Sequence, residues 1–509
     1  MNIAKRIFGN TLILYFKVIF TTVIALYLTR VVLNVLGVED FGLYSLIAGV
    51  VSFMSFLNTA LMSSTQRFLS VAIGEGNIVK MKKIFSSSIA MHLVLSIIIV
   101  IVLEVIGIFI FDGFLNIPEG RETSAKIIYH IMVATTFFTV MSAPYNAAIN
   151  SYEDMYFFAI VEIFASVLKL CVVWLFTHIN FDHLILYTGW ISLITIVCFV
   201  IKILWCHVKY SEIKYEKRDL LNSKETITEM MGFIGWNTFG SFAVILRNQG
   251  VAIVLNTFFS TAINAVYGIA NQVSSQLSYF SQMMTTSMTP QIMKSKGENN
   301  ENRLLYLSFL TSKLSYFLSI IFAIPLIVNI DFVLKIWLGN VPEFTKYYCI
   351  TSVIIFLIMQ LYPGLNRAIQ ADGRIKAYNI WLSIIMFIPI IVAVILFYFD
   401  VSHKSIMILM ILAQVAVMLM TVQQCKKLIH LDIREYYYFI IKAILVFIGI
   451  TLICIVVKNA LVASTEWMVL LLTIVISTIL VCVAFYCLIL SGKDKAQFKN
   501  LITKYLKHD

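Results

Sequence analysis

Lys17, Arg30, Arg67, Lys169, Arg247, Lys313 and Lys442 fall inside stretches that are otherwise apolar, and only Glu104 and Glu162 clearly oppose them. A charged group near the middle of a bilayer costs at least about 2.5–3.5 kcal/mol on insertion scales, so such groups pair, snorkel to the nearer interface or face a working cavity. Lys17, Lys313 and Lys442 lie near the inner ends of their stretches, where a long stem carries the ammonium outward. Arg67 also lies near an inner end, a place for an anchor. Arg30, Lys169 and Arg247 lie deeper or toward the outer half. Glu162 precedes Lys169 by one heptad, so a pairing along one helix face or a relay is expected there. A cavity richer in cations than in anions suits an anionic ligand, because a guanidinium presents a planar fork to phosphate or carboxylate.

A second feature is the run NQVSSQLSYFSQMMTTSMTPQ, residues 271–291. Asn271, Ser275, Ser278, Gln282 and Thr285 recur at steps of three and four, which places them on one helix face, with Gln272 and Gln276 beside them. Ser52, Ser55 and Thr59 form a similar stripe earlier in the chain, with Asn58 and Ser63 close by. Hydrogen-bonding groups facing lipid tails would each cost kilocalories. Either the stripes pack helices through small residues, or they line a wet cavity. The three glutamines are too large for close packing and favour the cavity.

The elements that carry these residues are membrane spans. The chain is 60% hydrophobic and 13% charged, and apolar blocks recur from end to end, which excludes a single soluble core. About 14 spans are expected, near 11–36, 41–73, 84–111, 126–150, 155–178, 184–208, 229–258, 262–293, 303–330, 344–371, 376–399, 404–429, 435–457 and 464–490. The first block has no short core followed by a small-residue cleavage site and is expected to be a retained span. About 24 Lys and Arg fall on one set of alternate connections, which includes both termini, and about 6 on the other, so both termini are expected to be cytoplasmic. The formal net charge of +11 follows from this bias and does not call for nucleic acid. The tail KDKAQFKNLITKYLKHD reads as an amphipathic surface helix or as a solvated basic tail.

The eight cysteines fall almost entirely within spans and form no CxxC pattern, so they read as buried small hydrophobes. His178, Asp182 and His183 flank one outer loop, but without a further ligand at helical spacing no metal site is expected. No cofactor motif is present, and no long loop stands ready to hold catalytic acids, so the chain is not expected to be an enzyme.

A shift of about 223 residues lays the chain on itself. GLY at 42–44 falls on AVY at 265–267, GEGN at 74–77 on GENN at 297–300, and LSII at 95–98 on LSII at 318–321. With a shift of about 220, PYNAAINSYED from Pro144 meets PGLNRAIQADG from Pro363. Equivalent points lie an even number of spans apart, so the halves are parallel repeats. The expected organisation is an all-α polytopic protein with an N-lobe at 1–208, a cytoplasmic linker at 209–228, a C-lobe at 229–429, two extra spans at 430–492 and a basic tail at 493–509.

From Leu28 to Ser70, LTRVVLNVLGVEDFGLYSLIAGVVSFMSFLNTALMSSTQRFLS resembles the polysaccharide transport family, the Wzx-like repeat-unit flippases of the superfamily that also holds MATE exporters. The likeness continues through GEGN and PYNAAINSYEDM. It implies a V-shaped pair of six-helix lobes with two added helices, working by alternating access. It also implies an undecaprenyl-pyrophosphate-linked oligosaccharide as cargo, moved across a bacterial inner membrane for O-antigen or capsule synthesis, alongside polysaccharide polymerase machinery and membrane lipids. Arg30, Arg67 and Arg247 fall in the spans where relatives place pyrophosphate-binding arginines, although Pro290 stands where the second repeat would match Arg67. Glu39 and Asp40 would gate the outer turn or cap the second span. Apart from the resemblance, Glu162, Glu104 and Asp112 are candidates for carrying H+ or Na+, with an uncoupled, gradient-driven flip as the alternative. The alternatives are a MATE-like cation antiporter, which would want an acidic cavity, and a membrane polymerase or glycosyltransferase.

Overall fold

We analysed a computed structural model of the chain. It describes residues 3–52, 55–109, 111, 120–176, 182–210, 223–259, 261–461 and 465–490, with positions 212, 213, 216, 218, 219, 492, 494 and 495 besides. The described residues are helical almost throughout. In chain order the helices are α1 (Ile3–Ser52), α2 (Ser55–Glu75), α3 (Ile78–Phe109), α4 (Glu122–Met141), α5 (Ala143–Ser151), α6 (Met155–Phe176) and α7 (His183–Lys209). They continue with α8 (Lys224–Phe258), α9 (Thr261–Gly297), α10 (Glu301–Val328), α11 (Ile330–Leu338), α12 (Thr345–Gln360) and α13 (Pro363–Asp372). The last are α14 (Lys376–Tyr398), α15 (Ser405–Ile429), α16 (Ile433–Ala460) and α17 (Glu466–Ala484), extended by a π turn at Phe485–Ile489.

Among the described residues, nine helices are long and apolar enough to cross a membrane, or ten if α12 and α13, bent by 45°, make one span. The protein is therefore an all-α multi-pass membrane protein. The spans expected near 11–36, 41–73, 155–178 and 262–293 are not among these nine, a count that holds for the described residues alone. The spans expected at 11–36 and 41–73 run together as α1, broken at Gly37 (φ 78°, ψ 172°), and α2. Helix α9 is diluted by its own polar stripe. In the fourth span of each repeat a proline opens a short second segment, Pro144 in α5 and Pro363 in α13; the first of these spans, Glu122–Ser151, is one of the nine, and the second is the bent pair.

The chain forms two compact units, residues 9–238 and residues 239–509 with 1–8, so the division falls inside α8. The repeat is visible in their helix pairing. In the first unit α2 packs on α3 and α5, α3 on α4, α4 on α7, and α6 on α7. In the second, α9 packs on α10 and α13, α10 on α12, α12 on α15, and α14 on α15. The turns repeat as well. Gly76 (φ 68°) and Asn299 (φ 52°) close α2 and α9 in the left-handed region. Asn77 and Asn300 then cap the following helices, each accepting at 3.0 Å from the backbone N–H three residues on. Each turn is also bridged by an ion pair, Glu75 with Lys80 and Glu298 with Arg303.

The second unit also holds the two added helices. Lys313 on α10 pairs with Asp494 at 2.8 Å, both side chains almost fully buried. The Tyr316 hydroxyl donates to the Ala443 carbonyl at 3.1 Å. At the far end of α10, Asn329 donates to Thr473 and Lys458 to the Val328 carbonyl, each at 2.7 Å. Lys313 thus pairs within the protein rather than snorkelling. Lys442 reaches the Leu488 carbonyl and lies over the Tyr438 ring, as a snorkelling lysine does.

Candidate functional site

In the second unit, α8 carries Arg247 inward, where only 7% of it is exposed. Its Nε and Nη2 donate to Asn248 Oδ1 at 3.2 and 2.9 Å, and Nη1 faces Met386 Sδ at 3.1 Å. Among the described residues no carboxylate forms an ion pair with it. Its electrostatic neighbours are the phenols of Tyr267 and Tyr362. The Tyr267 hydroxyl is buried beside the Asn271 side chain. Tyr362 accepts from Gln414 Nε2, while Gln414 Oε1 is left without a donor. A guanidinium carries five donors and is always charged, so an enclosed one with neutral neighbours leaves donors and charge unspent. That arrangement accepts an anion and repels a cation.

The polar stripe of α9 begins beside this pocket and divides along its length. Gln272, Ser275, Gln276 and Gln282 are exposed, and Asn271 and Ser278 are half-buried. Further on, Ser281, Thr285, Ser287 and Thr289 are buried, and Thr285 meets Ser315 of α10 at 3.4 Å. The second half is helix packing through small residues; the first half presents open amides. Ser275 and Ser278 donate back to the carbonyls of Asn271 and Ser274, at 2.7 and 2.8 Å.

In the first unit, Arg67 is buried under two aromatic rings, 4.4 Å from the Phe68 centroid and 4.9 Å from that of Phe233. Thr59 is exposed, and Lys169 is half-buried. The side chains of Arg30, Ser52 and Ser55 lie outside the described residues. Glu162 does not take its ion pair from Lys169, the expected heptad partner. It lies 3.6 Å from Lys202 of α7, within electrostatic reach of Lys17. Lys202, which sequence spacing passed over because it stands near the end of its span, is 6% exposed. Glu104 meets His130 at 3.0 Å on an exposed surface.

At the opposite end of this unit, Glu39 is exposed, whereas Asp40 is 6% exposed and paired with Arg121. The other Arg121 nitrogen binds Asp182 at 2.9 Å, and Ser124 donates to the same carboxylate at 2.6 Å. Asp182 also caps α7 through the Leu184 N–H at 2.9 Å. Burial works against its charge, but the bonds from Ser124 and Leu184 and the nearby Arg121 hold its pKa below the ordinary carboxylate value. Asp40 is thus part of a clasp joining the turn after Gly37 to the starts of α4 and α7, and Arg121 is the member that sequence spacing could not reveal. Asp182 is occupied in that clasp, and His178 lies outside the described residues.

Residues 14–175 match the MatE family model. A curated relative, the uncharacterized membrane protein EpsK of Bacillus subtilis (strain 168), is 27% identical over 125 residues, a quarter of each chain. Solved structures share the fold over most of the length. A MATE protein in complex with MaD3S matches with a TM-score of 0.72 at 16% identity, over 84% of this chain and 97% of that one. An outward-facing multidrug resistance MATE transporter matches at 0.69 and 15%, over 83% and 94%. A transporter from Pyrococcus furiosus, described by the reverse polarity of its binding pocket, matches at 0.69 and 16%, again over 83% and 94%.

Proposed function

We propose that this multi-pass membrane protein is a transporter of the MATE-like superfamily and, within it, a flippase for undecaprenyl-pyrophosphate-linked oligosaccharide, serving surface polysaccharide synthesis. The observation that carries the reading is Arg247, an enclosed guanidinium without a carboxylate, set beside the open amides of α9. A carrier of cationic drugs needs the opposite polarity. In the second unit Arg247 is the candidate for the headgroup and Asn271, Gln272, Ser275, Gln276, Ser278 and Gln282 for the sugars; in the first unit the candidates are Arg30, Arg67 and Lys169 for the headgroup and Ser52, Ser55 and Thr59 for the sugars, and the polyprenyl tail stays in the bilayer. Transport runs by alternating access in a bacterial inner membrane with both termini in the cytoplasm, and the clasp that holds Asp40 contributes to gating.

The test is mass spectrometry of polyprenyl-linked oligosaccharides in cells depleted of the protein and complemented with wild type or Arg247→Ala. Depletion should accumulate complete repeat units, relieved by wild type and not by the variant at equal membrane abundance. If no repeat unit accumulates while polymer is still made, the flippase reading fails.

A further inference from the structure

Lys17 of α1, Glu162 of α6 and Lys202 of α7 meet in the first unit around the ring of Phe158. The Lys17 ammonium lies 4.6 Å from the ring centroid and that of Lys202 5.7 Å, so one aromatic face serves two cations. Their shared carboxylate is Glu162, 3.6 Å from Lys202 Nζ, which is beyond hydrogen-bond length. Among the described residues, neither ammonium has a hydrogen-bond acceptor, although Lys202 is 6% exposed. Two ammonium groups carry six donors against one carboxylate, an excess of one positive charge. A buried ammonium without an acceptor is costly, and the shortfall here is of acceptor oxygen.

Glu162 lies two helix turns from the start of α6 and Lys202 two turns from the end of α7, so the cluster sits about 10 Å inside those helix ends. A helix of 27 residues is about 40 Å long, enough to reach from one headgroup zone to the other, which puts a point about 10 Å inside its end near the edge of a hydrocarbon core about 30 Å thick. Glu162 is 39% exposed, and the open face of α6 beside it is apolar, with Tyr156, Ile160 and Phe164 exposed at 64%, 44% and 43%. A ligand that satisfies both surfaces carries phosphate oxygen at one end and hydrocarbon at the other.

We propose that Lys17, Lys202 and Phe158 form a lipid-phosphate site, with the lipid chain lying along Tyr156, Ile160 and Phe164. Phosphate oxygens bridge the two ammonium groups beside Glu162. A phospholipid and a polyprenyl pyrophosphate share this chemistry. The site does not depend on the cargo assigned above.

Native mass spectrometry of the full chain in detergent tests it, with phosphatidylglycerol, a polyprenyl pyrophosphate and phosphate-free diacylglycerol added in turn. Wild type should retain a phosphate-bearing lipid at least tenfold better than diacylglycerol. Lys17→Met/Glu162→Gln/Lys202→Met, which leaves no bare charge behind, should lose that preference while melting normally. Lys17→Gln, at a half-buried position, should lose it several-fold and serves if the triple variant does not fold. Stronger retention of phosphatidylglycerol identifies a resident membrane lipid, and stronger retention of the pyrophosphate identifies a loading site for cargo. Equal retention of diacylglycerol, or wild-type retention by the variants, overturns the site.

Discussion

Arg247 is the residue on which polarity turns. Arg247→Gln keeps an amide in the pocket but removes the charge, and flipping of the lipid-linked repeat unit in vesicles should fall at least tenfold, with Arg247→Lys intermediate because an ammonium lacks the guanidinium fork. Folding should not suffer, since a bare buried charge is removed rather than created. Asp182 makes a prediction about pH. Its folded pKa is depressed, so its contribution is complete above the ordinary carboxylate value of about 4 and is lost as pH falls through the folded pKa. Asp182→Asn retains a cap but cannot hold Arg121. Its melting temperature in detergent should lie below wild type near neutral pH, and the gap should close under strong acid. These residues differ in how far sequence alone exposed them. Arg247 stood out because a cation inside an apolar run is visible by itself. Tyr267, Tyr362 and Gln414 were hidden, since single tyrosines and amides in a span carry no signal until folding brings the two phenols to one guanidinium and Gln414 to Tyr362. Glu162 misled for the same reason: seven residues away Lys169 looked adequate, but Lys202 arrives from another helix.

At the scale of elements, the turns were the most legible part. GEGN and GENN announced a repeated structure, and both fold into the same left-handed closure with the same asparagine cap. PGLNRAIQADG showed a proline-led segment but not why its second residue is glycine. A Cβ on Gly364 would lie 1.8 Å from the Ser308 carbonyl oxygen, a contact with backbone that no rotamer change relieves. Gly364→Ala should therefore force α13 away from α10 and cost about 3 kcal/mol, read as a lower melting temperature. The equivalent position in α5 is Tyr145, so the two repeats share a bend without sharing its closest approach. The polar stripe of α9 was legible as a stripe. That half of it is packing became evident only from the serines of α10 that face it.

For the whole molecule, the shift that held over several landmarks predicts two repeats with added helices, and the helix pairing of the two compact units runs parallel to it, with their division inside α8 rather than at the expected linker at 209–228. The attachment of the added helices was not readable. Lys313 belongs to the repeat and Asp494 to the tail, and nothing in their separation suggests a pair. Asp494→Ala leaves a buried ammonium alone and should destabilise the second unit by about 3–5 kcal/mol. The double variant Lys313→Met/Asp494→Leu should recover most of that loss in a melt, because the charge leaves with its partner.

That pair also has a place in time. Lys313 is made 181 residues before Asp494. At about 5–20 residues per second the lysine waits some ten to forty seconds for its partner during synthesis. A nascent chain that stops short of Asp494 would already carry α17 and still hold an unpaired buried lysine, a defect open to the membrane proteases. Asp494 thus acts as a signature that synthesis has passed the last apolar helix.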